Sequence, residues 1–238
     1  MPDFVELWVY LSASPLFGLT ATLLVYLLAL QVYLKLRQAP WANPVLWSVV
    51  LLCLGLAATG VAYPTYFAGA QFIHFLLGPA VVALAWPLWQ RRELVRRRWW
   101  KLLLAACMGG SVASGSAVAL AWWMDLPREV LLSLVPKSAT APVAMGIAEQ
   151  IGGVPSLAAV FAILTGLAGA LSGKYLYALL KVDTSAAGWA ARGFALGTAS
   201  HGIGAARALQ VHADAGAYAG IALSAQVILQ SLLIPLLF

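Results

Sequence analysis

Charged side chains are spaced along this chain so that long stretches carry none. Residues 7–34, 38–90, 102–124, 150–173 and 215–238 contain no Asp, Glu, Lys or Arg. A helix that crosses a bilayer needs about 20 mostly apolar residues. The window 38–90 therefore holds two segments and each of the others one. The expected spans are 12–34, 44–63, 66–89, 102–124, 155–179 and 216–237. Two further apolar stretches, 129–150 and 188–212, are interrupted by charge. The pattern predicts an all-α polytopic membrane bundle of about seven to eight hydrophobic segments.

Composition sharpens this class. Of 238 residues, 63% are hydrophobic and only 9% charged, against about 25% charged in soluble domains. Mean hydropathy is +0.89. So much apolar surface also excludes a disordered chain. Cys53 and Cys107, the only cysteines, lie in apolar runs and do not make a disulfide scaffold. One integral membrane domain over 1–238 is expected. Asp3 and Glu6 stand where a signal peptide would be basic, so no cleavable leader is expected.

Charge then orients the segments. Lys35 and Arg37 follow the first segment. Arg91, Arg92, Arg96, Arg97, Arg98 and Lys101 follow the third and carry most of the net charge of +6. Positive loops stay in the cytoplasm, which puts the acidic N-terminus outside. The 91–101 cluster reads as this topology signal rather than as a nucleic-acid site. A full crossing by 129–150 would leave Lys174 and Lys181 outside; a re-entrant 129–150 brings both inside, which the charge rule favours.

Breaks recur at similar offsets. Pro15 opens the first segment and Pro136 interrupts the fifth; Gly78-Pro79 interrupts the third and Gly202-Ile203-Gly204 the seventh. This suggests an approximate two-fold repeat with halves 1–124 and 125–238. Paired breaks in corresponding positions point to a transporter site. An inverted repeat would need one re-entrant segment in each half.

Three pieces can carry chemistry. In Pro136-Lys137-Ser138-Ala139-Thr140-Ala141-Pro142 a lysine sits in an apolar stretch, at a cost of about 2.5–3.5 kcal/mol unless it is paired or hydrated. Pro136 breaks the helix, and the residues after it start a new helix whose N-terminus attracts anions. Ser138 and Thr140 add hydroxyls. The alternative is a lysine anchored among headgroups. In Gly197-Thr198-Ala199-Ser200-His201-Gly202-Ile203-Gly204-Ala205-Ala206-Arg207, His201 can donate to a substrate oxygen or carry a proton. Arg207 can clamp a carboxylate or snorkel to the interface. His74-Phe75-Leu76-Leu77-Gly78-Pro79-Ala80 opens a third break. A Rossmann fingerprint fails at Gly202-x-Gly204-x-x-Arg207, and a Ser–His catalytic pair fails because adjacent helical residues do not face each other.

Elsewhere the spacing speaks for packing. Gly169/Gly173, Gly193/Gly197 and Gly216/Gly220 are close-approach pairs, and most tryptophans sit at segment ends as interfacial belts. No metal-ligand spacing occurs, so neither metal nor other cofactor is expected. No acidic residue lies in the middle of an expected span. A cationic substrate is therefore disfavoured, while Lys137, Arg207 and helix N-termini favour an anion.

Leu77-Gly78-Pro79-Ala80 with Ala83-Leu84-Ala85 and Pro87-Leu88, Pro136-Lys137-Ser138, Ile151-Gly152-Gly153, and Gly197-Thr198-Ala199-Ser200-His201 through Arg207 together resemble the LrgB/CidB family. The likeness runs from about residue 70 to the end, with the motifs in order. It implies a bacterial inner-membrane protein linked to murein hydrolase activity and lysis, working beside a small LrgA/CidA-type holin-like protein. Its plastid relatives look like glycolate/glycerate transporters, and bacterial members have been tied to pyruvate uptake. Ala139-Thr140-Ala141 and Ala205 depart from the family's pattern, each losing a hydroxyl.

The expected function is transport of small monocarboxylates such as glycolate, glycerate or pyruvate, by alternating access around broken helices. Lys137, His201 and Arg207 would meet the carboxylate, and Ser138, Thr140 and Ser200 hydroxyl or keto oxygens. Gly78 and Pro79 would line the site, while Pro136, Gly202 and Gly204 break the helices. A homodimer is expected, and an enzyme is not. The rival is a regulator of murein hydrolase export or activity and of lysis, acting with the small partner.

Overall fold

The computed structural model describes residues 15–76, 79, 82, 85–90 and 92–238. Among these the chain is helical, with no strand. It divides into two compact units, 1–80 and 81–238.

The first unit contains α1 (Pro15–Lys35), a 3-10 turn (Pro40–Ala42), α2 (Pro44–Thr59) and α3 (Tyr63–Phe75). Asn43 starts α2, its Oδ1 accepting from the amides of Val45 and Leu46 at 2.9 and 3.2 Å, as an N-cap does. Gly18 lets α1 press against the backbone of α3 at Tyr66 and Ala70. The Thr22 hydroxyl also lies 2.7 Å from that of Tyr66.

The second unit contains α4 (Ala85–Gln90), α5 (Arg92–Trp123), α6 (Arg128–Leu134), α7 (Ala141–Ile151), α8 (Pro155–Leu179), α9 (Ala186–Val211) and α10 (Ala213–Leu237). Helix α8 has the bounds expected from its charge-free window, and α10 begins slightly earlier than expected. Four helical stretches are long and apolar enough to cross a bilayer: Leu16–Lys35, Val95–Trp123, Pro155–Leu179 and Ala213–Leu237.

The charge-interrupted stretches do not cross. Helices α6 and α7 have 7 and 11 residues, about 10 and 16 Å at 1.5 Å per residue, too short for a hydrocarbon core of about 30 Å. The segment also closes on itself: the Val154 amide, just past α7, donates at 2.8 Å to Oγ of Ser133, near the C-terminal end of α6, and Gly153 packs on the Ser133 backbone. Residues 133–154 therefore leave and return to one place in the unit, the re-entrant course that the lysine distribution favours.

Helix α9 differs from the expected seventh crossing, because it reverses direction inside. Ser200 (φ −123°, ψ 15°) and His201 (φ 40°, ψ −134°) leave helical geometry. Gly193 and Gly197 lie against Ala215 and Ala219 of α10, so residues 186–199 run parallel to α10. Gly216 lies against Leu209, so residues 202–211 run antiparallel to it. The rings of Trp189 and His212, at opposite ends of the sequence of α9, stack at 4.6 Å and 4°. Straight, those residues would be about 35 Å apart. Helix α9 is a hairpin whose two arms open at one end. The close-approach glycines make it possible, since a Cβ at Gly193 or Gly197 would run into the α10 backbone.

The two re-entrant segments enter from opposite ends of α8. The first leaves beside Pro155. The second opens beside the far end of α8, where Tyr177 donates to the Arg192 carbonyl at 2.9 Å. Each is followed by a 25-residue helix, α8 and α10. Helix α5 runs parallel to α10, with Ala106 beside Gln226 and Val118 packed with Ile234.

Candidate functional site

The tips of the two re-entrant segments meet the same stretch of α8. Ala139, in the first tip, is fully buried against Ala158 and Ala162 of α8 and against Ala144 and Ala148 of α7. His201, in the second tip, is buried and places Nε2 2.6 Å from the Ala162 carbonyl oxygen. A carbonyl only accepts, so Nε2 carries the proton. Gly166 and Gly169 leave room on α8 for the tip: a Cβ at Gly166 would stand 2.8 Å from the His201 ring, and one at Gly169 would collide with the Ser200 side chain.

Each break is built by its residues. Pro136 is fully buried and ends the α6 arm, and the Ala139 amide closes a turn onto its carbonyl at 2.9 Å. Thr140 caps α7 with extended backbone, but its side chain makes no capping bond. In α9 the turn depends on a positive φ at His201, a conformation that favours glycine. Gly202 and Gly204 follow it; Gly204 sits against Ser200 and the Leu196 backbone, where a Cβ would not fit.

Lys137, Ser138, Thr140, Ser200 and His201 thus come together around the middle of α8. Lys137 is half-buried and close enough for its charge to act on the His201 imidazole. Helix α7 begins at the first break and residues 202–211 at the second, so two helix N-termini start at the tips. Ser138 is fully buried and Thr140 is buried, and neither hydroxyl finds a hydrogen-bond partner. Thr198, also buried and without a partner, rests its methyl against Gly109 of α5. Buried hydroxyls left unpaired cost about 1–3 kcal/mol each, so the pair in the first tip, and Thr198 just before the second break, mark polar positions.

Arg207 lies elsewhere. It lines a cavity of about 350 Å³ at the open end of the hairpin, with Lys174, Tyr177, Trp189 and Arg192. Pro79 is helical and exposed and belongs to the first unit; Gly78 lies outside the described residues.

Thr198 falls within 197–207, yet its exposure to a site is not legible in the sequence, because a threonine in a helix usually bonds its own backbone. Gln226 and Gln230 do not stand out in the pattern of charge and breaks. Both are buried on α10; Gln226 Nε2 donates to the Ala106 carbonyl at 2.6 Å, and Gln230 Nε2 to Gln226 Oε1 at 3.0 Å. Uncharged amides one turn apart in an apolar helix were the available signal.

A helical membrane protein with two opposed re-entrant segments, whose tips carry a lysine, a histidine and unpaired hydroxyls, is the class these features define. The LrgB-like family model matches residues 22–238, and the chain belongs to that family. "Uncharacterized protein YxaC" of Bacillus subtilis (strain 168) is 35% identical over 219 residues, covering 90% of this chain and 91% of that protein. "Holin-like protein CidB" of Staphylococcus aureus (strain N315) is 30% identical over 222 residues, covering 90% and 95%. "Uncharacterized protein YwbG" of Bacillus subtilis (strain 168) is 32% identical over 206 residues, covering 87% and 89%. No solved structure matches the chain.

Proposed function

We propose that the chain carries small monocarboxylates across the bacterial inner membrane by alternating access at the two tips. The observation that supports this most is the gathering of Lys137, His201 and two helix N-termini beside hydroxyls that lack partners. One lysine charge matches one carboxylate, and helix N-termini strengthen the attraction. Ser138, Thr140 and Thr198 suit the hydroxyl or keto oxygen of glycolate, glycerate, lactate or pyruvate, with Ser200 beside them. Opposed re-entrant segments let each tip be uncovered from its own side, as alternating access requires.

Orientation follows from charge within the second unit. Lys174, Lys181, Arg192, Arg207 and the basic start of α5 lie toward one end, and Asp125, Arg128, Glu129 and Glu149 toward the other. The positive-inside rule assigns the lysine-rich end to the cytoplasm.

Uptake of labelled glycolate, glycerate, lactate and pyruvate into proteoliposomes tests the proposal. Saturable uptake of at least one is the expected result, and none, with or without a small membrane partner, refutes it. The name "Holin-like protein CidB" borne by the staphylococcal relatives favours a second reading. On it the chain regulates murein hydrolase export or activity and lysis with an LrgA/CidA-type partner. Deletion would then alter lysis only in cells that hold the partner, and purified protein would not transport.

A further inference from the structure

The cavity at the open end of the α9 hairpin has chemistry that the tip site does not use. One arm contributes Trp189, Arg192 and Leu196, the other Arg207, Ala208 and Val211, and α8 contributes Lys174 and Tyr177, around about 350 Å³. Its lining holds three cations and no carboxylate. Of the neighbouring acids, Asp183 accepts from the Ser185 hydroxyl at 2.7 Å, and Asp214 lies 4.0 Å from His212 Nδ1 and has a further interaction.

The cations differ in what they offer. Arg207 already has an interaction of its own. Lys174 is exposed and, among the described residues, has no hydrogen bond or ion pair. Arg192 is held in place, its guanidinium 4.9 Å from the Trp189 ring centre and 5.6 Å from that of Tyr177. One of its terminal nitrogens donates to the Val182 carbonyl, while Nε finds no partner. Such an arrangement holds the planar Arg192 guanidinium in place, beside an exposed Lys174 in the same lining.

We propose that this cavity binds a phosphate group presented by an anionic membrane lipid. Several cations around one pocket exceed what a monocarboxylate balances, and phosphate is the common anion that matches them. The rest of the lining, Leu196, Ala208 and Val211, is apolar and suits the start of an acyl chain. Tyr177 and Trp189 are the aromatic types enriched where headgroup meets hydrocarbon. Basic pockets between membrane helices on the positively charged side take anionic headgroups. The proposal does not depend on what the hairpin tips bind.

Native mass spectrometry of the purified full chain, titrated with phosphatidylglycerol, phosphatidylcholine and inorganic phosphate, tests it. Phosphatidylglycerol should be retained in preference to phosphatidylcholine. Lys174→Gln should weaken that retention about fivefold, the worth of one basic charge near a membrane surface. Arg192→Lys keeps the charge but loses the fork, and should also weaken it. Lys174 is exposed, so its variant folds whether or not Arg192 proves structurally necessary. Inorganic phosphate that binds alone, is lost in Lys174→Gln and removes the lipid preference would support the phosphate chemistry and assign the free ion as its source. Equal retention of both lipids without phosphate binding, or a lipid preference unchanged in both variants, overturns the proposal.

Discussion

His201 donates from Nε2 to the Ala162 carbonyl across 2.6 Å, from a backbone conformation that favours glycine. Side chains held in such conformations cost about 1–3 kcal/mol and persist where the surroundings impose them. The bond ties the second tip to α8 at the level where Ala139 of the first tip packs.

His201→Gly separates the two roles of this residue. It relieves the strain and loses a bond of about 0.5–1.5 kcal/mol, so the effects on stability oppose each other. Thermal unfolding should shift by only a few degrees, whereas saturable uptake should disappear. Full uptake in this variant would remove the imidazole from the site.

Ser138→Ala and Thr140→Val should also affect stability and transport differently. Each removes a buried hydroxyl without a partner, so neither should destabilise, and a gain of about 1 kcal/mol is expected. Uptake should weaken in both. Unfolding curves measured beside uptake decide this, and a clear loss of stability would show that the hydroxyls have structural partners.

Gly169→Ala puts a methyl into the Ser200 side chain, while Gly115→Ala meets nothing within 4 Å. Overpacking costs about 1–3 kcal/mol, so the first should unfold earlier and transport poorly. The second should be neutral or slightly stabilising, since both residues are helical. Equal effects would mean that the tip does not rest on α8.

Spin labels at Ala187 and Val211 report whether α9 folds back. A continuous helix would separate the backbones by about 36 Å. Hairpin arms packed side by side lie about 10 Å apart. A long distance as the dominant population would contradict the hairpin.

Much of this arrangement is legible in the pattern of charge. The window 150–173 leads directly to α8, and Lys174 and Lys181 favour a re-entrant 129–150. Lys137 and His201 stand out because each interrupts an apolar stretch beside a break. The reversal of α9 is not legible, because Ser200-His201-Gly202 marks a break without a direction. Direction comes from Gly193 and Gly197 on α10 and from Gly166 and Gly169 on α8, contacts between distant segments. The separation of Arg207 from His201 follows from the same reversal. Sequence proximity joins them, but one stands at the tip and the other at the mouth. Both opposed re-entrant segments also fall within 125–238, a nearer pairing than the one suggested by Pro15 and Pro136.

The central claim is that both tips hold one carboxylate. It is tested most directly by ligand protection of Ser138→Cys and Thr198→Cys, each made with Cys53 and Cys107 replaced by serine. The rate of thiol modification is measured in membranes with and without the transported acid. Both cysteines should be modified more slowly in its presence, and Lys137→Gln should abolish that protection. Protection of neither cysteine, or of one only, would contradict a site shared between the tips.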